Sequence, residues 1–217
     1  MGRLPAGHAA ARLRAPKRTE AGRHQLIDAV CAVVAERGHE NTRFTDVAQR
    51  AGTSIGSLQY AFGTRENMVA TALDERTNRY LTEIQAAGSG IADPLARLRW
   101  LGTHLAAGLG GDDAARLEWL VWTECWRASL RDDRLKAAST AQYRNWIAMI
   151  TEAIEDCVTA GVIAEPDDTH AIAAAALGMA DGLGVQVSLS DRDFGWEDAS
   201  RMVRSWLALS LNCPDLR

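Results

Sequence analysis

Apolar residues recur along this chain every three or four positions and almost nowhere every two. Leu26, Ile27, Val30, Val33 and Val34 form a helical stripe that stops at Gly38. Phe44, Val47, Ala48 and Ala51 mark a two-turn helix ended by Gly52. Ser54 can cap a further short helix through its hydroxyl, with Leu58 and Phe62 facing inward and Gly63 ending it. Thr64 then caps a long helix carrying Met68, Leu73, Tyr80, Leu81 and Ile84. Beyond "AAGSGIADP" the pattern predicts helices near 94–109, 113–130, 132–160, 168–189 and 196–211. Alternating β-branched runs and Asn-Gly hairpins are missing. The expected fold is all-α, with a small N-terminal three-helix bundle and a larger C-terminal one.

Composition adds an asymmetry to this picture. The 217 residues are 47% hydrophobic and 24% charged, as in a globular protein of one large or two small domains. Residues 1–67 carry 10 Lys and Arg against 6 Asp and Glu, whereas residues 68–217 carry 14 against 22. A basic front on an acidic body points to an anionic partner for the front, set against chance bias in a solvated tail. The start, "MGRLPAGHAAARLRAPKR", is basic without an apolar core, so it reads as a disordered arm over 1–16 rather than a secretory signal. Cys31, Cys125, Cys157 and Cys213 lie far apart without a C-x-x-C pair, so reduced thiols and a cytoplasmic location are expected. The five histidines form no H-E-x-x-H pattern, and no nucleophile elbow or phosphate loop occurs. No catalysis, metal or cofactor is expected.

Two short helices joined by a few residues including Gly form a helix-turn-helix. In "FTDVAQRAGTSIGSLQYAF", Ala48 is small enough for the second helix to cross close to the first. Gly52 sits where the turn needs φ > 0. The second helix would enter the major groove by its N-terminal end. Ile55, Gly56, Ser57, Gln59 and Tyr60 lie on the faces that Leu58 and Phe62 leave exposed. Gln59 suits adenine, Ile55 a thymine methyl, and Ser57 and Tyr60 phosphate oxygens. Arg43, Thr53, Ser54, Thr64 and Arg65 flank this surface as further DNA contacts. Arg14, Lys17 and Arg18 supply a basic arm for the minor groove.

"FTDVAQRAGTSIGSLQYAFGTRENMVATAL" resembles the N-terminal domain of the tetracycline-repressor (TetR) family of bacterial regulators. Asp46, Val47, Ala48, Ala51, Gly52, Ser54, Gly56, Leu58, Phe62, Thr64 and Glu66 fall in the family's register. Three positions depart: Gln59 replaces an aromatic, Ala61 a phosphate-binding His or Tyr, and Arg65 a phosphate-binding Lys. The resemblance implies a head over 17–63 that binds a double-stranded operator. It also implies a body over 64–217 that binds a small-molecule effector and forms a homodimer. The stretch "LEWLVWTECWRASLRDDRLKAASTAQYRNWIAMI" further resembles the subgroup typified by the choline-responsive betaine-operon repressor, a likeness that does not transfer the ligand.

All seven tryptophans lie after residue 99, and Trp119, Trp122 and Trp126 share one helix face. Such a cluster fits either a packed core or a ligand cage. The family's C-terminal bundles enclose an effector pocket, and the candidate lining is Tyr80, Ile84, Trp100, His104, Trp119, Trp122, Thr123, Trp126, Tyr143, Trp146, Ile150 and Met179. A hydrophobic, aromatic or cationic effector would suit it, with Glu118, Glu124 and Asp181 nearby for a cation. The run "AIAAAALGMADGLGVQVSL" has the length of a membrane span, but Asp181 near its middle would be costly in lipid. Its glycines do not match a dinucleotide loop. The resemblance assigns it, with the last helix, to a dimer interface: Ala175, Met179, Gly182, Leu183, Gln186, Val203, Trp206, Leu209 and Ser210. The leading expectation is an effector-released repressor. The rival is a helical small-molecule-binding module whose head no longer uses DNA.

Overall fold

Helix starts in this protein are set largely by side-chain caps. The computed structural model describes residues 20–190 and 194–217. Among them are nine α-helices: α1 (Glu20–Arg37), α2 (Phe44–Ala51), α3 (Ile55–Phe62), α4 (Arg65–Ser89), α5 (Pro94–Ala107), α6 (Asp112–Ser129), α7 (Asp133–Thr159), α8 (Thr169–Leu189) and α9 (Trp196–Ser210). Ser54 Oγ accepts from the Ser57 amide and Thr64 Oγ1 from the Asn67 amide, each at 3.1 Å. Asp93, Asp132 and Asp168 cap α5, α7 and α8 in the same way, and Pro94 fills the first turn of α5. Each cap is worth about 1 kcal/mol. Gly52 takes φ 61° and ψ 34°, the left-handed geometry that ends α2 and aims α3. All of these elements follow the sequence pattern; the 3-10 turns at His39–Asn41 and Pro214–Leu216 do not.

Two apolar clusters hold the described residues together. In the first, α1, α2, α3 and the first half of α4 enclose Ile27, Val30, Val34, Val47, Leu58, Phe62, Met68 and Leu73. Val121, Cys125 and Ala128 of α6 and Leu135 of α7 complete that cluster. The head is therefore seated on the body through buried apolar contact, and the expected division at residue 63 runs across a continuous core. The second cluster fills the body between α4 and α9, around Leu98, Leu101, Ile150, Ile154, Ala176, Ala180, Val203 and Leu207.

Helix α8 is long and apolar enough to cross a membrane by length and composition. Here it packs against α5, α6, α7 and α9. Its Gly184 lies flat under the Trp119 indole, where a Cβ would overlap the ring, whereas Gly178 and Gly182 face open space. The three glycines thus stand in two different surroundings, and only the structure separates them.

Candidate functional site

Helix α3 projects from the head with its N-terminal half uncovered. Ser54, Ile55, Gly56 and Gln59 are exposed, and Tyr60 is 89% exposed. Leu58 and Phe62 turn inward, so these side chains are held outward by a buried anchor every four residues. Ser57 is half-buried and its hydroxyl meets that of Ser54 at 2.9 Å. Thr53 is half-buried, and its buried hydroxyl has no partner. Arg43 and Thr64 are exposed at the flanks. Arg65 is engaged within the chain. Its guanidinium donates to the carbonyls of His39 at 2.8 Å and Glu40 at 3.1 Å, and pairs with Glu66 at 2.9 Å. It braces the 3-10 turn against α4, a role that spacing alone could not reveal. Arg14, Lys17 and Arg18, with the arm over 1–16, lie outside the described residues.

The body contains a cavity between α4, α5, α6, α7 and α8. Trp119, Trp122 and Trp126 of α6 form one wall, Tyr143 and Trp146 of α7 another, and Tyr80 of α4 a third. Ring centroids lie 6.1 Å apart for Trp122–Trp126, 6.5 Å for Trp126–Tyr143 and 6.2 Å for Tyr80–Trp146. The cavity itself is tight, about 40 Å³, so a guest larger than a water or two enters only if the lining side chains part. Trp119 Nε1 donates to the Ala106 carbonyl at 2.8 Å, which fixes that indole.

Two carboxylates face this aromatic enclosure, Glu118 and Asp181. Tyr143 donates its hydroxyl to Asp181 at 2.9 Å. Burial pushes the Asp181 carboxyl up to about 6, against the pull of that hydrogen bond in the other direction. Burial also raises the Tyr80 phenol to about 12. Glu118 gives one oxygen to Arg76, while its Oε2 is buried with no partner. Trp126 Nε1 is likewise buried and unpartnered. Buried polar atoms of this kind each cost about 1–3 kcal/mol when no partner reaches them. An aromatic enclosure with two acids and unmet polar atoms is chemically prepared for a small polar or cationic guest.

A profile described as "Bacterial regulatory proteins, tetR family" matches residues 26–72. Another, "BetI-type transcriptional repressor, C-terminal", matches residues 97–212, more than half of the chain. This chain belongs to the TetR family. The transcriptional regulator BetI of Yersinia pestis (strain Pestoides F) is 25% identical over 198 residues, covering 88% of this chain and 92% of the relative. The regulator HbdR of Aromatoleum sp. (strain CIB) is 30% identical over 83 residues, 38% of this chain and 36% of that one. Among solved structures, a transcriptional regulator from Saccharomonospora viridis in complex with choline superposes with a TM-score of 0.76 at 23% identity, covering 87% and 96% of the two chains. FadR from Bacillus subtilis in complex with stearoyl-CoA gives a TM-score of 0.66 at 18% identity, covering 88% and 98%. One TetR fold thus accompanies a small cation in one protein and a long acyl thioester in another.

Within that frame, several expected positions move. Tyr80, Trp119, Trp122, Trp126, Tyr143 and Trp146 do line the cavity, joined by Leu105, Ala106, Gly108, Ala115, Glu118, Leu177 and Asp181. Ile84 and Ile150 are fully buried core, because they fall on the neighbouring phase of α4 and α7. Trp100 stacks on His104 at 4.2 Å between centroids and borders a second cavity with Ile84. Thr123 spends its hydroxyl on the Trp119 carbonyl at 2.7 Å. Met179 is half-buried and outside the lining. Glu124 turns away from the cavity to the head, accepting from the His39 amide at 2.7 Å and Arg127 at 3.2 Å. Burial alone would raise its carboxyl, yet His39 and Arg127 hold it below the usual range.

The last two helices leave an apolar face uncovered. Ala175, Gly178, Gly182 and Gln186 are exposed along α8 and end at Leu189, 80% exposed. Met202 and Leu209 of α9 are 46% and 68% exposed beside half-buried Trp206 and Ser210. Leu183 and Val203, expected on this face, are instead buried in the chain's own core. Each lies one residue, about 100° of helix, away from the uncovered stripe.

Proposed function

We propose that this TetR-family regulator is a cytoplasmic homodimeric repressor, released from a palindromic operator by a small organic cation. The aromatic cavity carrying Asp181 and Glu118 is the observation that carries the reading. A quaternary or protonated amine against indole faces gains about 0.5–2 kcal/mol per contact, and a desolvated carboxylate adds charge selectivity. A long apolar chain would leave Glu118 Oε2 and Trp126 Nε1 unsatisfied. The similar fold of a choline-bound regulator agrees with this but does not decide it. No cofactor is assigned.

For DNA, residues 17–63 act as the head, with α3 in the major groove and Gln59 and Ile55 at base edges. Tyr60, Ser57, Ser54, Thr53, Gly56, Arg43 and Thr64 surround the phosphates, and Arg14, Lys17 and Arg18 reach from the arm. Arg65 acts by bracing the turn that carries Arg43. Selecting duplexes from a random pool with the purified protein should yield a two-fold symmetric site. Gln59→Ala should then lose about 1–3 kcal/mol and relax preference at one base pair per half-site. Binding curves that coincide for the two proteins on every duplex would remove Gln59 from the readout, and a pool without enrichment would favour the DNA-independent binding module.

All tryptophans lie in the body, so their emission reports on the cavity without interference from the head. Titration with choline should quench it, whereas the neutral isostere 3,3-dimethyl-1-butanol should bind at least tenfold more weakly. Trp122→Ala should weaken choline by a similar factor and leave operator binding intact. Equal affinity for the charged and neutral probes would refute the cation cage.

A further inference from the structure

Glu118 stands between two spaces. One side faces the aromatic cavity; the other lines a polar groove between α1, α4 and α6, shared with Asp28, Arg76, Arg79 and Glu83. In the groove, Arg76 pairs with Glu118 and, at 3.3 Å, with Glu83. Its guanidinium also sits over the Tyr80 ring, 5.5 Å from the centroid, on a residue that lines the cavity. Arg79 continues the series, 3.5 Å from Glu83 and paired with Asp28 of the head. Five charges thus alternate from the cavity wall to α1: Glu118, Arg76, Glu83, Arg79, Asp28.

We propose that Arg76 is an internal stand-in for the effector's cation, and that displacing it is the switch. The proposal rests on the cation cage described above and assigns its regulation. In the present state Arg76 holds a cage carboxylate and an aromatic face, the two groups a cationic guest would use. That contact also pins α4, which carries the head, to α6, which carries the three cage indoles. A cation entering the cage shares Glu118 and repels the guanidinium on its far side. Arg76 then leans on Glu83, Glu83 loosens from Arg79, and Arg79 tightens on Asp28. Alternation makes neighbouring links change in opposite directions. The effector therefore loosens one tie between α4 and α6 and draws α4 closer to α1, so the end of α4 near Arg76 shifts towards the head. An uncharged guest of the same shape does not open the clamp, which gives the ligand the differential affinity for two states that switching requires.

Two variants separate this device from a merely structural network, because they move cation affinity in opposite directions. Arg76→Met frees Glu118 and should tighten choline and tetramethylammonium roughly three- to tenfold. Glu83→Gln removes the alternative perch, leaves Arg76 committed to Glu118, and should weaken both cations by a similar factor. Neither variant should change affinity for 3,3-dimethyl-1-butanol. On the selected operator, choline should lower wild-type affinity by about tenfold or more. It should lower that of Arg76→Met less than twofold, since the tie that the effector would break is already gone. Shifts in the same direction, equal shifts for the neutral isostere, or full release with Arg76→Met would each overturn the proposal. Glu83 is exposed, so Glu83→Gln decides the matter if Arg76→Met does not fold; unchanged cation affinity there rejects it. A wild type that prefers neither cation over the isostere overturns the cage reading, and this proposal with it.

Discussion

Replacing Gly182 with glutamate should split the dimer into monomers and weaken operator binding by two to four orders of magnitude. Gly182 has nothing within 4 Å of where a Cβ would stand, so the new side chain is accommodated in the isolated chain. In the proposed dimer the same position lies at the centre of the α8 stripe, pressed against a partner helix. A carboxylate there is buried without a counter-charge, which costs several kcal/mol per copy and acts twice across a two-fold axis. Monomers bind one half-site each and lose the gain from linking two heads about 34 Å apart, commonly a factor of 10²–10⁴. Sedimentation and thermal melting test this together: a folded monomer is expected. An intact dimer with normal operator affinity would show that α8 and α9 are not the interface.

The second large effect concerns Asp181. Its carboxyl, with an ordinary value of 3.8, is raised to about 6 by burial, so the folded chain binds this proton more tightly than the unfolded chain. The associated stability is fully present below about pH 4 and is lost as pH rises through about 6. At pH 7 the ionised group therefore destabilises the unliganded fold by roughly 3 kcal/mol. Asp181→Asn removes that burden while its amide oxygen can still accept from Tyr143. Urea unfolding at pH 7 should show the variant more stable by about 1–3 kcal/mol, with the gap closing towards pH 4. Choline binding should respond oppositely: weakened at least tenfold in the variant, and weakened in wild type as pH falls from 7.5 to 5. A variant that is less stable at pH 7, or that binds choline normally, would show that Asp181 is a structural hydrogen-bond partner and not the cation's counter-charge. The trade is physically coherent, since a site that awaits a cation must hold an unneutralised charge until the ligand arrives.

The helix-turn-helix was legible because its determinants are local. Gly52, the caps Ser54 and Thr64, and the anchors Leu58 and Phe62 act within one or two turns, so spacing alone predicted where α2 and α3 begin and end and where α4 begins. The aromatic lining was legible in part for the same reason, since Trp119, Trp122 and Trp126 share a face of α6 wherever that helix packs. Tertiary structure decided everything that depends on which side of a face meets which neighbour. Ile84 became core, and Leu183 and Val203 turned inward, because one residue of helical phase is about 100° and no local signal sets it. Glu118, Glu124 and Asp181 looked alike along the chain. One closes the cavity against Arg76, one bolts α6 to the His39 turn, and one is buried beside Tyr143. A carboxylate's partner can lie dozens of residues away, and its desolvation depends on helices that share no sequence with it. Local pattern therefore determined the elements and the helix-turn-helix, whereas the placement of the buried carboxylates, and the charge series that runs from Glu118 to α1, arise only once α1, α4, α6, α7 and α8 are packed together.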